Sequence, residues 1–148
     1  MGSFITNLFG QNNNDKQLCR LRDYLVLAYS DGDFTEEERQ IVSAFMAEEG
    51  ISFNKIREVI GNSNIKDAYP TSDEERFDYL AKLITLMISD GRCEATEINY
   101  LFLIGHKLGF SKDEVRKVVA MYLKKMQEHG DERYLDLFVD FAANGGVE

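Results

Sequence analysis

SDGDFTEEE, residues 30–38, returns 59 residues later as SDGRCEATE, residues 89–97. Both copies have the form Asp-Gly-x-h-x-x-x-Glu, in which h is apolar. The same ungapped offset aligns further identical pairs, which are Leu21 with Leu80, Gly50 with Gly109, Ser52 with Ser111, Arg57 with Arg116 and Val59 with Val118. The sequence therefore predicts two repeats, at about residues 18–60 and 77–119.

Composition narrows the class of protein. A chain of 148 residues fits one domain with a single buried core. Its net charge of -9 argues against nucleic acid as a partner, because binding a phosphate backbone needs clustered Lys and Arg. Cys19 and Cys93 have neither disulfide nor metal-ligand spacing, and no apolar run reaches the roughly 18 residues of a membrane span. We therefore expect a reduced, cytoplasmic protein.

Apolar residues recur at helical spacing along most of the chain, and the only proline, Pro70, lies between the repeats. This pattern predicts an all-α fold, a compact bundle of about seven helices built from two pseudo-symmetric repeats. Asp15 is the predicted N-cap of the first helix. The predicted helices span residues 16–30, 36–49, 53–60, 73–89, 95–108, 112–128 and 132–143.

The N-terminal segment, residues 1–15, is expected to lie outside the helical domain of residues 16–148. It contains a short apolar stripe, followed by a connector rich in Asn and Gly that is typical of a flexible segment. We expect the stripe to dock on the domain or on a partner protein. Its residues are Phe4, Ile5, Leu8 and Phe9.

The repeated stretch corresponds to the second half of a calcium-binding EF-hand loop, with its Asp, Gly, inward apolar residue and final Glu. The first half is absent, because apolar residues take the places of the first two ligands. A self-contained calcium loop is therefore excluded by ligand count. A shared site remains as a hypothesis, in which the two turns face each other and pool four carboxylates around calcium or magnesium. The candidate ligands are Asp31, Glu38, Asp90 and Glu97.

Two other interpretations of the turns stay open. In the first, the turns are purely structural, since the glycines can end helices and Thr35 with Glu38 forms a capping box. Glu94 replaces Thr35 in the second copy, where we expect the reciprocal box to be lost. In the second interpretation, the acidic surface binds a partner.

The duplicated Asp-Gly-x-h-x-x-x-Glu motif after an apolar helix resembles the tellurite-resistance TerB-like family, over roughly residues 18–123. The resemblance implies a compact helical bundle, a role in stress response or beside membrane-associated machinery, and a divalent metal at the four carboxylates above. The same domain occurs in some membrane-anchored J-domain cochaperones. This chain has no His-Pro-Asp triplet, so a chaperone role would be indirect.

Catalytic signatures are absent from the sequence. His106 and His129 have no nucleophile or second ligand at a useful spacing, and no phosphate-binding or nucleophile-elbow motif occurs. We expect a non-enzymatic protein with a divalent-cation site. The alternative is a metal-free adaptor that binds an unidentified protein, and self-association as a homodimer is also left open.

Overall fold

The computed structural model describes residues 13–29, 32 and 34–147. Within these residues the chain forms seven α-helices and no strand, so the predicted all-α fold is confirmed. The helices are α1 (Asn13–Ala28), α2 (Glu36–Glu49), α3 (Asn54–Gly61), α4 (Asp73–Ile88), α5 (Ala95–Lys107), α6 (Lys112–Glu128) and α7 (Arg133–Ala143). Five residues that the sequence nominated for a function lie outside the described part of the chain, and these are Phe4, Ile5, Leu8, Phe9 and Asp31.

Local hydrogen bonds explain where most helices begin. At α2 the Thr35 hydroxyl accepts the Glu38 N–H at 3.1 Å, and the Glu38 carboxylate accepts the Thr35 N–H at 3.1 Å. Ser111 and Glu114 form the same capping box at α6. Each box satisfies two backbone donors that the first helical turn leaves without partners.

The start of α1 differs from the prediction. The chain is already helical at Asn13, the first residue that the structure describes, so Asp15 lies in the first described turn and is not the N-cap. A carboxylate in this position interacts favourably with the helix dipole. The residue expected to precede the helix thus stabilises its first turn.

The core is built around α1 and α4, which pack against each other. Leu21, Tyr24 and Leu27 of α1 and Leu80 and Leu83 of α4 are almost completely buried. The helix pair α2 and α3 packs on α1, whereas α5 packs on α4 and α6 joins α5 to α7. The two central helices therefore bring both repeats into one hydrophobic core.

One pair of helix starts has the offset of the sequence repeat. Glu36 begins α2 and Ala95 begins α5, at the same offset as the repeated motif. The terminal helix α7 has no counterpart in the first repeat and extends the bundle beyond the duplicated part. Among the residues with described structure, none of the helices is both long and apolar enough to cross a membrane.

Candidate functional site

The repeated turns have the backbone geometry expected of helix ends. Gly32 has φ 81° and Gly91 has φ 82°, in the left-handed region that side chains other than glycine rarely adopt. Each glycine therefore allows the chain to leave an apolar helix and enter the next one within a few residues. This confirms the structural part of the motif.

The final glutamate of each copy of the motif lies in the first turn of the following helix and is buried. Glu38 is 3% exposed and Glu97 is 4% exposed. The Glu97 carboxylate accepts the Glu94 N–H at 2.9 Å, and Glu94 completes a capping box at the start of α5. The expectation that this second box is lost is wrong, because the Glu94 carboxylate replaces the Thr35 hydroxyl as the acceptor.

The described carboxylates of the predicted cation site all have protein contacts. Glu38 and Glu97 act in capping boxes, and Asp90, which is exposed, accepts the Arg92 N–H at 2.9 Å. In the part of the chain that the structure describes, no group of three or more His, Cys, Asp or Glu side chains is arranged to hold a metal ion. Since Asp31 lies outside that part, the four-carboxylate site stays a prediction.

Arg133, at the start of α7, places a positive charge beside the second turn. Its Nη1 donates to the Ser89 carbonyl oxygen at 3.0 Å and lies 3.8 Å from the Glu37 carboxylate. The hydrogen bond to Asp131, with attraction from Glu37 and Asp90, raises the pKa of this guanidinium. The protein itself therefore supplies a cation next to the acidic turn.

Helix α7 also holds the second turn through its C-terminal half. Asp140 accepts the Arg92 Nε–H at 2.8 Å and the Cys93 N–H at 3.2 Å, and Asn144 donates to the Cys93 carbonyl oxygen at 2.7 Å. Burial, together with the neighbouring carboxylates of Glu97 and Asp140, raises the pKa of the Cys93 thiol to about 12. The thiol is therefore protonated at neutral pH and is a poor nucleophile.

A buried polar cluster, which the sequence analysis missed, surrounds Asp23. We call it the Asp23 cluster, and its members are Arg22, Asp23, Tyr69, Tyr79 and Tyr100. The fully buried Asp23 carboxylate accepts the hydroxyls of Tyr79 and Tyr100 at 2.5 Å each. It also accepts the Tyr69 hydroxyl at 3.0 Å, and Arg22 Nε donates to it at 3.1 Å. One carboxylate thus joins α1, α4, α5 and the segment between the repeats.

The tyrosines of this cluster are held in their neutral form. Burial raises the pKa of Tyr69, Tyr79 and Tyr100, and the nearby charge of Asp23 adds to the effect. The only signal in the sequence was an acidic residue directly before the apolar end of α1. Its tyrosine partners could not be identified from the sequence, because they lie 46 to 77 residues away along the chain.

A second charged network joins α1, α2 and α4. We call it the Glu49 cluster, and its members are Arg20, Tyr24, Glu49, Asp78 and Lys82. Glu49 at the end of α2 accepts the Tyr24 hydroxyl at 2.6 Å and pairs with Arg20 at 2.7 Å and with Lys82 at 2.9 Å. Asp78 bridges the same two cations at 2.5 and 3.2 Å. The network fixes the end of α2 against the central helices.

A groove of about 700 Å³, lined mostly by apolar side chains, lies between α6 and α7. Its floor contains Val119, Leu123 and Phe141, which are buried in the core. On its α7 wall Leu135 is 56% exposed and Phe138 is 62% exposed. Large apolar side chains that stay this exposed next to one another are typical of binding surfaces.

No protein-family model matches the chain, and neither a curated protein nor a solved structure was found to match it. The resemblance to the TerB-like family therefore depends on the repeated motif alone, and membership stays a prediction. The structure is the basis for assigning a function.

Proposed function

We propose that this protein is a non-enzymatic, metal-free helical module that binds another protein in the groove between α6 and α7. The observation that carries the proposal is the exposure of Leu135 and Phe138 along an apolar groove of about 700 Å³. The sequence already suggested an adaptor as the alternative function. The proposal moves the binding surface from the N-terminal stripe to the C-terminal helices.

The shape of the groove supports a protein as the occupant. Leu135 and Phe138 are three residues apart, so they lie on one face of α7 and form the start of an apolar stripe. A partner helix laid along two packed helices buries such a stripe in the manner of helix-in-groove complexes. Aromatic side chains that become buried at the centre of an interface contribute most of its binding energy.

The reactive side chains support a non-enzymatic role. Burial raises the pKa of the Cys19 thiol, with a further contribution from the charge of Asp23, and Cys93 is similarly protonated. His129 lies at the end of α6, where its Nδ1 is 2.7 Å from the Lys125 carbonyl oxygen. These contacts are those of structural groups. We place the protein in the cytoplasm, where its partner is either free or attached to a membrane.

Site-specific crosslinking in the native cell tests the proposal. A photo-reactive amino acid at Ala120, an exposed residue that lines the groove, should yield an adduct with one protein. The same group at the exposed Glu58, far from the groove in sequence, should not. The crosslinked protein is then purified, and its affinity is measured for the wild type and for Phe138→Glu.

The expected result is a loss of affinity of at least about tenfold in Phe138→Glu, since the partner would have to accept a charge in an apolar contact. Phe53→Glu is the matched control, because Phe53 is 67% exposed and does not line the groove. Equal binding of the purified partner by the wild type and Phe138→Glu would contradict the proposal. A divalent-cation site with a stress-related role stays the competing proposal.

A further inference from the structure

We propose that the helix that binds in this groove is amphipathic and acidic, with an apolar face toward Leu135 and Phe138 and carboxylates toward Lys117 and Lys124. This inference rests on the proposed function, because it assigns the chemistry of the partner to the same groove. It follows from the charges that line the groove, the exposure of Lys117 and Lys124, and the spacing of these two lysines.

The lining of the groove has the opposite charge to the chain as a whole. The protein has 26 acidic and 17 basic residues and a net charge of -9. Among the described residues that line the groove, three are basic, namely Arg116, Lys117 and Lys124, and none is acidic. The groove is therefore a positive site on a negative protein, which favours approach of a negatively charged partner.

Two of these cations are available to a partner. Arg116 is occupied, since its Nε donates to the Gly146 carbonyl oxygen and its Nη1 to Asp113, each at 2.8 Å. Lys117 and Lys124 are exposed, and neither forms an ion pair with any residue that the structure describes. Glu114 attracts Lys117 at longer range, and both lysines are exposed to a carboxylate of a partner.

The spacing of the two lysines matches that of a helix. They are seven residues apart on α6, which places them on one face about 10.5 Å apart along the helix axis. A partner helix with carboxylates seven residues apart can meet both lysines at once. Its apolar residues, repeating every three to four positions, then meet Leu135 and Phe138 on the opposite wall.

Other occupants fit this lining less well. Residues 1–12 contain apolar side chains but no charged one, so this segment offers nothing to the lysines. A second copy of the chain could present the acidic surface around Phe77, which is 41% exposed and lies beside Glu74 and Glu75. Both occupants are separate outcomes of the experiment below.

The test uses two fluorescent helical peptides of about 18 residues with the same leucine face. One peptide carries Glu along its flanks and the other carries Lys. Fluorescence anisotropy should show that the wild-type protein binds the acidic peptide about tenfold more tightly than the basic one, with the difference shrinking at high salt. The double variant Lys117→Glu/Lys124→Glu should reverse this preference.

The control is Lys112→Glu/Lys125→Glu, which makes the same change in net charge at exposed positions of α6 outside the groove lining. It should keep the wild-type preference. The inference is wrong if the wild type binds both peptides equally, or if the control variant reverses the preference as well. Either result leaves the crosslinking test of the proposed function intact.

Two further measurements identify a different occupant. A synthetic peptide of residues 1–12 that binds more tightly than the acidic peptide would overturn the inference. So would concentration-dependent self-association in analytical ultracentrifugation that Phe138→Glu abolishes. Absence of both, together with reversal of preference by the groove variant, is the result that supports the acidic helix.

Discussion

The Asp23 cluster and the groove between α6 and α7 differ in what they bury and expose. The cluster buries a charged side chain, whereas the groove exposes large apolar ones. In the cluster a carboxylate is fully buried, and three hydroxyls and a guanidinium donate to it. In the groove Phe138 is more than half exposed beside lysines without ion-pair partners in the described structure. A buried charge with complete partners fixes the fold, whereas exposed apolar surface is available for binding. The comparison predicts that stability and the proposed binding depend on different residues.

The largest expected effect is on stability. Asp23→Ala should lower the free energy of unfolding by about 3 to 5 kcal/mol, because the buried hydroxyls and Arg22 lose their common acceptor. Urea denaturation followed by circular dichroism measures the change. Glu128→Ala, at an exposed carboxylate that has no hydrogen bond or ion pair among the described residues, is the control and should change stability by less than about 0.5 kcal/mol.

If Asp23→Ala does not fold, Tyr100→Phe provides the same test. This variant removes one hydroxyl donor to Asp23 and should lower the free energy of unfolding by about 1 to 2 kcal/mol. Equal stability of Tyr100→Phe and the wild type would show that the cluster does not contribute as described. In every variant that folds, affinity for the acidic peptide should match that of the wild type.

The second largest effect is on binding affinity, with little change in stability. Phe138→Glu should reduce affinity for the acidic peptide by about 2 kcal/mol, or roughly thirtyfold, because a large apolar contact is replaced by a like-charged group. Its unfolding free energy should stay within about 0.5 kcal/mol of the wild type, since the side chain is largely exposed already. A large loss of stability in this variant would remove the separation between the two regions.

Alkaline pH should weaken the Asp23 cluster. Because the pKa values of Tyr69, Tyr79 and Tyr100 are raised in the folded protein, their stabilising contribution is complete below the unfolded pKa of about 10. Above that pH the tyrosines ionise first in the unfolded chain. Each of them then lowers the free energy of unfolding by about 1.4 kcal/mol per pH unit, until the pH passes the pKa in the folded protein. Between pH 10 and 11, Tyr100→Phe should therefore show a shallower fall in stability than the wild type.

The smallest expected effect concerns the repeated turns. A metal-free module predicts no change in melting temperature when calcium or magnesium is added to chelator-treated protein. The cation-site hypothesis predicts stabilisation that is lost in Asp31→Asn/Asp90→Asn. A shift with that mutational pattern would establish a third functional region and would contradict the metal-free part of the proposal.

The local features were largely predictable. The capping box at Thr35 was predicted, and the positive φ of Gly32 and Gly91 agrees with their expected place at helix ends. These signals act within about four residues, so the sequence displays them directly. The errors were also local, since Asp15 lies inside α1 and Glu94 completes a capping box that we expected to be lost.

The candidate site was not predictable in the same way. The exposed wall formed by Leu135 and Phe138 belongs to a helix whose apolar residues all looked equally suited to the core. Which of them are covered depends on how α7 packs on α6. Periodicity identifies apolar faces of a helix, but only the packing of neighbouring helices determines which face remains uncovered.

The sequence by itself determined the helices, their ends, the repeat and the excess of negative charge, because each depends on composition or on residues close together in the chain. Only the tertiary structure decided that Asp23 would collect donors from four segments, that Arg133 would lie beside the second turn, and that basic side chains would line the groove. Those contacts join residues far apart in sequence, and their energies depend on burial and distance that the folded chain alone defines.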